Sequence, residues 1–119
     1  MNKELVQKLL NCEISWSEFS SIENCSSYLI ELDNTIIKVD AKMVSKAIKS
    51  CLDSRYVMQD LVDWANVVRF SDIFLVEEDC RDCVISILDR IEESDEVGCE
   101  LTKEDLFTML DKLNKNEEW

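Results

Sequence analysis

The sequence predicts a mainly α fold: a single-domain helical bundle over residues 1–119, of about five or six helices, with one small β-hairpin at about residues 28–39. Apolar residues recur at helical spacing along most of the chain, and several of these segments follow a Ser, Thr or Asp suited to cap a helix. Alternating β-branched residues are confined to one short stretch. At 119 residues with 46% hydrophobic composition, the chain suits one domain and supplies a core despite its charge.

The elements follow in order. Residues 2–11 place Leu5, Val6, Leu9 and Leu10 on one helical face. Ser15 followed by Glu18 reads as a capping box opening a second short helix over about 16–24. Tyr28, Ile30 and Leu32 then alternate with Leu29 and Glu31, Asp33-Asn34 offers a turn, and Thr35 to Val39 resumes a β-branched run. Two such runs across a two-residue polar turn predict the hairpin, which must pack on helices to be stable. Asp40 caps a helix over about 41–53, whose apolar face is Met43, Val44, Ala47, Ile48, Cys51 and Leu52 and whose other side carries Lys42, Lys46 and Lys49. Residues 56–69 repeat the helical pattern through Val57, Leu61, Trp64, Ala65 and Val68, with Trp64 expected in the core. A connection containing Ile73-Phe74-Leu75-Val76 leads to a helix over about 78–93, with Val84, Ile87, Leu88 and Ile91 inward. After a polar loop at 94–100, Thr102 and Asp105 cap a last helix over about 103–114 with Leu106, Leu110 and Leu113 inward. Residues 114–119 are expected to fray.

Composition excludes several function classes. The chain has no His, which removes imidazole catalysis and imidazole metal ligands. Gly98 is the only glycine, so no glycine-rich phosphate loop can be built. A net charge of −13 opposes nucleic-acid binding, which relies on Lys and Arg. No apolar run approaches membrane-spanning length, and Lys8 interrupts the apolar residues that a secretory leader would need. These features predict a soluble, cytoplasmic protein that binds neither nucleic acid nor membrane, and six reduced cysteines rather than disulfides.

The charge is uneven. Residues 1–50 hold six bases against seven acids, a net of −1, while residues 51–119 hold seven bases against nineteen acids, a net of −12. Eleven acids crowd residues 72–100 against Arg81 and Arg90 alone. Two readings of this asymmetry stand side by side: a solvated acidic surface that keeps the protein soluble, and, since the asymmetry exceeds what solubility requires, an acidic docking face that steers a basic partner. The candidate contacts are Asp60, Asp63, Asp72, Glu77, Glu78, Asp79, Asp82, Asp89 and Glu93. Asp60 and Asp63 lie on or beside the edge opposite the Trp64 stripe, where they can face a partner.

Segments that imitate reactive sites are incomplete. Cys80-Arg81-Asp82-Cys83 is a C-x-x-C without a second pair of ligands, and its acidic neighbours disfavour a reactive thiolate. Residues 93–104 imitate a calcium loop with Asp95, Gly98 and Glu104 at positions 3, 6 and 12, but Val97 occupies position 5, where an oxygen ligand belongs. Neither S-x-x-K nor G-x-S-x-G occurs, so the chain is expected to be non-catalytic and to need no cofactor or metal.

The order of an N-terminal helix, Leu-Asn-Cys-Glu-Ile-Ser-Trp-Ser-Glu-Phe at 10–19, Asp60-Leu-Val-Asp-Trp-Ala-Asn66 and Leu101-Thr-Lys-Glu-Asp-Leu106 resembles the small acidic immunity proteins of bacterial polymorphic-toxin and contact-dependent growth inhibition systems. The resemblance implies an inhibitor that binds a cognate basic toxin domain, a nuclease, over the surface meant for phosphates. Two other classes stay open: an acidic regulatory or adaptor module binding another basic protein, and a calcium- or metal-responsive protein using the 93–104 loop or the cysteines.

Overall fold

The computed structural model describes residues 2–119. Among them, six α-helices surround one core, with a two-stranded parallel sheet at its side. The order is α1 (Lys3–Leu10), α2 (Trp16–Glu23), β1 (Ile37–Val39), α3 (Ala41–Leu52), α4 (Met58–Phe70), β2 (Phe74–Val76), a 3-10 turn (Glu78–Cys80), α5 (Arg81–Glu93) and α6 (Lys103–Lys115).

Helix starts follow the capping chemistry. The Asn2 side chain accepts from the Glu4 and Leu5 amides, Ser15 and Glu18 cap reciprocally, Asp40 accepts from the Met43 amide, and Thr102 and Asp105 form a second reciprocal box. Each satisfies amides that a helix's first turn leaves without partners. At the other end of α1, the Trp64 indole N–H lies 3.2 Å from the Leu9 carbonyl and 3.3 Å from that of Leu10. Trp64 is therefore a core residue, and it also closes the end of another helix. Trp16 packs against Phe19 and Tyr28, both with ring centroids at 5.5 Å, and lids the core over α2.

α4 is the central element. Every residue from Leu61 to Val68 is buried, on all sides of the helix, because α2, α3 and α5 pack on it and the C-terminal end of α1 meets it at Trp64.

The small β element is present, but it is not a hairpin. Ile37, Lys38 and Val39 pair in parallel with Phe74, Leu75 and Val76. The chain does turn at Asp33-Asn34, yet only Asn34 adopts positive φ, at 52°. A two-residue hairpin of the type I′ class needs positive φ at both central positions, and Asp33 does not supply it. The Tyr28–Ile30 segment is instead docked on Ser71. The Ser71 hydroxyl donates to the Tyr28 carbonyl at 2.8 Å and accepts from the Ile30 amide at 2.9 Å. β1 thus remains free to pair with the apolar run Ile73–Val76, which returns beside it after the α3–α4 crossover. Ile37, Val39, Phe74 and Val76 face the core, while Lys38 and Leu75 face out.

The segment expected to fray is held at two points. Asn116 adopts a left-handed conformation at φ 56°, and the Glu117 amide reaches back to the Lys112 carbonyl. The reversal lays the chain end against the 3-10 turn and α5: the Asn116 side chain donates to the Asp79 carbonyl, and the Trp119 amide to the Ser86 hydroxyl, both at 2.9 Å. Among the described residues, no helix is long and apolar enough to cross a membrane.

Candidate interaction face

The acids predicted as contacts separate into three groups. Asp72, Glu78, Asp79, Asp82, Asp89 and Glu93 are exposed, Asp60 and Glu77 are half-buried, and Asp63 is buried at 8% exposure. Asp63 is turned inward rather than toward a partner: it accepts from the Tyr28 hydroxyl at 2.7 Å and from the Gln59 amide at 2.9 Å, inside the packing of α4. The apolar stripe has no solvent edge there, since the Tyr28 segment and α2 cover it. Asp60 is committed locally, with its carboxylate accepting from the Val57 amide in the first turn of α4. Asp72 stands in the turn before β2, apart from the remaining acids.

Those remaining acids converge on α5. Asp82, Asp89 and Glu93 project from its outward side at helical spacing. Glu78 and Asp79 lie in the 3-10 turn that enters the helix, where the positive end of the α5 dipole offsets part of their repulsion. Beside them lies a groove of about 430 Å³, lined by Glu78, Asp79, Asp82, Glu117 and Glu118 together with Arg81, Cys83 and Asn116. Five carboxylates and one guanidinium leave its walls strongly negative.

Glu117 and Glu118 escaped the sequence reading, as did the place of Trp119, which is 39% exposed on the same side of α5 through its bond to Ser86. A signal was available in Asn116. Asn after a helix that ends in Lys112 and Lys115 marks a left-handed stop, and such a stop reverses the chain onto a neighbouring element.

Most of this charge has no internal partner. Among the described residues only two ion pairs form, Arg69–Asp89 at 2.8 Å and Lys115–Asp111 at 3.1 Å. Arg90 is occupied by the Cys99 carbonyl at 2.8 Å, tying the 94–100 loop to α5. In that loop the Gly98 amide donates to the Glu100 carboxylate, and the Glu100 amide, followed by that of Gly98, lowers this carboxyl's pKa. The loop thus spends one of its acids on closing its own turn. No group of three or more acids and cysteines among the described residues is arranged to hold a metal ion.

All six cysteines are free thiols. Burial, followed by Cys80 and Glu118, pushes the Cys83 thiol up, and its sulfur contacts the Lys112 carbonyl at 3.6 Å. Burial likewise raises Cys80. Both shifts move the C-x-x-C pair away from the thiolate form that redox exchange needs.

Comparison of the chain with protein-family models, with curated proteins and with solved structures finds no match.

Proposed function

We propose that this chain is a non-catalytic immunity or inhibitor protein that binds and neutralises a basic toxin domain, a nuclease, through the acidic face of α5 and the segment after α6. The observation that carries the reading is the gathering of Glu78, Asp79, Asp82, Glu117 and Glu118 around one groove, with no Lys or Arg ion-paired to any of them among the described residues. Carboxylates left without cations in the folded chain are available to Arg and Lys of a partner, whose guanidinium groups they can bind in bidentate fashion. A nuclease surface shaped for phosphates offers such groups. Covering it with carboxylates blocks substrate by occupancy and needs no chemistry from the inhibitor.

The rim and the anchor have different tasks. The carboxylates along α5 raise the rate of encounter. Trp119, half-exposed among them, supplies the apolar contact on which residence time depends.

The test looks for a basic toxin domain encoded beside the chain and pairs the two. Co-expression is expected to restore growth that the toxin alone arrests. In stopped-flow association, charge reversal by Asp82→Lys, Glu117→Lys and Glu118→Lys together should slow binding by about tenfold or more at low salt and flatten its salt dependence. Trp119→Ala should raise the dissociation rate with little effect on association. An unchanged on-rate and salt slope in the triple variant would sink the proposal.

A further inference from the structure

α3 and α6 pack side by side, and their contact leaves a second groove of about 500 Å³. Its floor is apolar or small: Ala41 and Ser45 one turn apart on α3, and Leu110 and Leu113 on α6. Short side chains on the α3 edge keep the groove open. Lys42 and Lys49 line it as well, with Lys46 one helical turn from Lys42 on the same exposed side. By helical spacing Phe107, 60% exposed, lies on the α6 edge one turn before Leu110.

Lys42, Lys46 and Lys49 form no ion pair among the described residues, so their ammonium groups stand open to a partner. The acids close by in sequence do not pair with them. Asp40 is spent on the Met43 amide, Asp111 pairs with Lys115, and Asp53, one turn from Lys49 at the end of α3, does not close on it. A basic rim is thus preserved over an apolar floor in an otherwise acidic molecule.

We propose that the α3–α6 groove docks an acidic amphipathic helical segment of a partner protein. Apolar side chains of that segment lie on Leu110, Leu113 and Phe107, and its Glu or Asp residues meet Lys42, Lys46 and Lys49. The chemistry is complementary on both counts, since an apolar stripe flanked by carboxylates matches an apolar floor flanked by ammonium groups. This site uses none of the acids assigned to the toxin-binding face, so either surface can fail its test without the other.

The experiment uses the full chain, isotope-labelled, and a synthetic peptide of about 12 residues, matching the ~18 Å of α3, with Leu at helical spacing and Glu between. Amide shifts are expected to concentrate at residues 41–49 and 107–114 on titration. Binding should weaken about tenfold for Lys42→Glu with Lys49→Glu, and also when the peptide's Glu residues are replaced by Gln. Phe107→Ala, a change at an exposed site that leaves the lysines in place, should weaken it through the apolar contact alone. No shifts at millimolar peptide, shifts confined elsewhere, or equal binding by the lysine-reversed chain would overturn the proposal. So would binding of phosphatidylglycerol vesicles, but not the peptide, through the same residues, which would assign the groove to an anionic lipid surface.

Discussion

Asp63 carries a carboxylate into a stretch of α4 where every neighbour is buried. Its two donors, Tyr28 and Gln59, come from a loop and from one turn earlier on the same helix. Removing the acceptor leaves the Tyr28 hydroxyl without a partner at the margin of the core. Asp63→Ala should therefore cost about 2 kcal/mol in urea unfolding, whereas Asp63→Asn, which keeps an acceptor oxygen, should cost less than half of that. If Asp63→Asn leaves partner affinity unchanged while Asp82→Asn lowers it, the structural and contact roles are separated. The sequence could not distinguish these two aspartates, because burial of a helix on all sides depends on elements distant in the chain. Tyr56 and Cys12 make the fold sensitive to alkaline pH. Burial, and then the adjacent Cys12, push the Tyr56 phenol far above its ordinary value of 10.0, while burial also raises Cys12 above 9.0. Both groups stay protonated in the folded chain at a pH where the unfolded chain has lost those protons. Their contribution to stability is complete below the unfolded values and declines as pH rises past them. The urea midpoint should hold steady through neutral pH and fall from about pH 9 upward. Tyr56→Phe combined with Cys12→Ala should flatten that fall, at a pH-independent cost from the lost Tyr56–Ile14 hydrogen bond of 2.7 Å.

At the scale of elements, the helices were legible because their causes are local. Apolar spacing sets the face, and Ser15, Asp40 and Thr102 set the starts, so α2, α3 and α6 begin where their caps stand. The sheet was not legible for the converse reason. The run Thr35–Val39 presents a strand, but its partner stands beyond two helices and becomes adjacent only when α3 and α4 have packed. The acidic face shows both situations within one site. Asp82, Asp89 and Glu93 follow from helical spacing, while Glu117 and Glu118 join only through the reversal at Asn116 and the bond to the Asp79 carbonyl. Contacts between elements can also be tested singly. The Trp64 indole N–H is the donor that the carbonyls of Leu9 and Leu10 find at the end of α1. Trp64→Phe keeps an aromatic ring in the core but withdraws that donor and part of the volume. The expected loss is about 2–4 kcal/mol in chemical denaturation. A loss under ~0.5 kcal/mol would mean that water replaces the indole there without penalty.

At the scale of the whole molecule, charge is the dominant feature. A net charge of −13 is held within principal extents of 35 × 30 × 23 Å and relieved by two ion pairs among the described residues. At about 0.01 M salt the screening length is ~30 Å, so every carboxylate senses every other across the molecule. At about 0.15 M it is ~8 Å, and repulsion is limited to neighbours such as Glu78, Asp79 and Asp82. Unfolding separates the charges and relieves the repulsion, so the compact state is the one that added salt favours. The urea midpoint is therefore expected to rise between about 0.01 and 0.2 M NaCl and then level off. Levelling distinguishes screening from the exclusion of salt from apolar surface, which keeps increasing with concentration. The acidic groove makes the expectation specific. Replacing Asp82, Glu117 and Glu118 by Asn, Gln and Gln removes three of its five carboxylates and should raise stability at low salt more than at high salt, converging with the parent chain as screening becomes complete. A parallel offset at all salt concentrations would instead place the effect of these residues in local contacts. Convergence would show that the fold tolerates repulsion at this face, the cost that the proposed docking of a basic partner would carry.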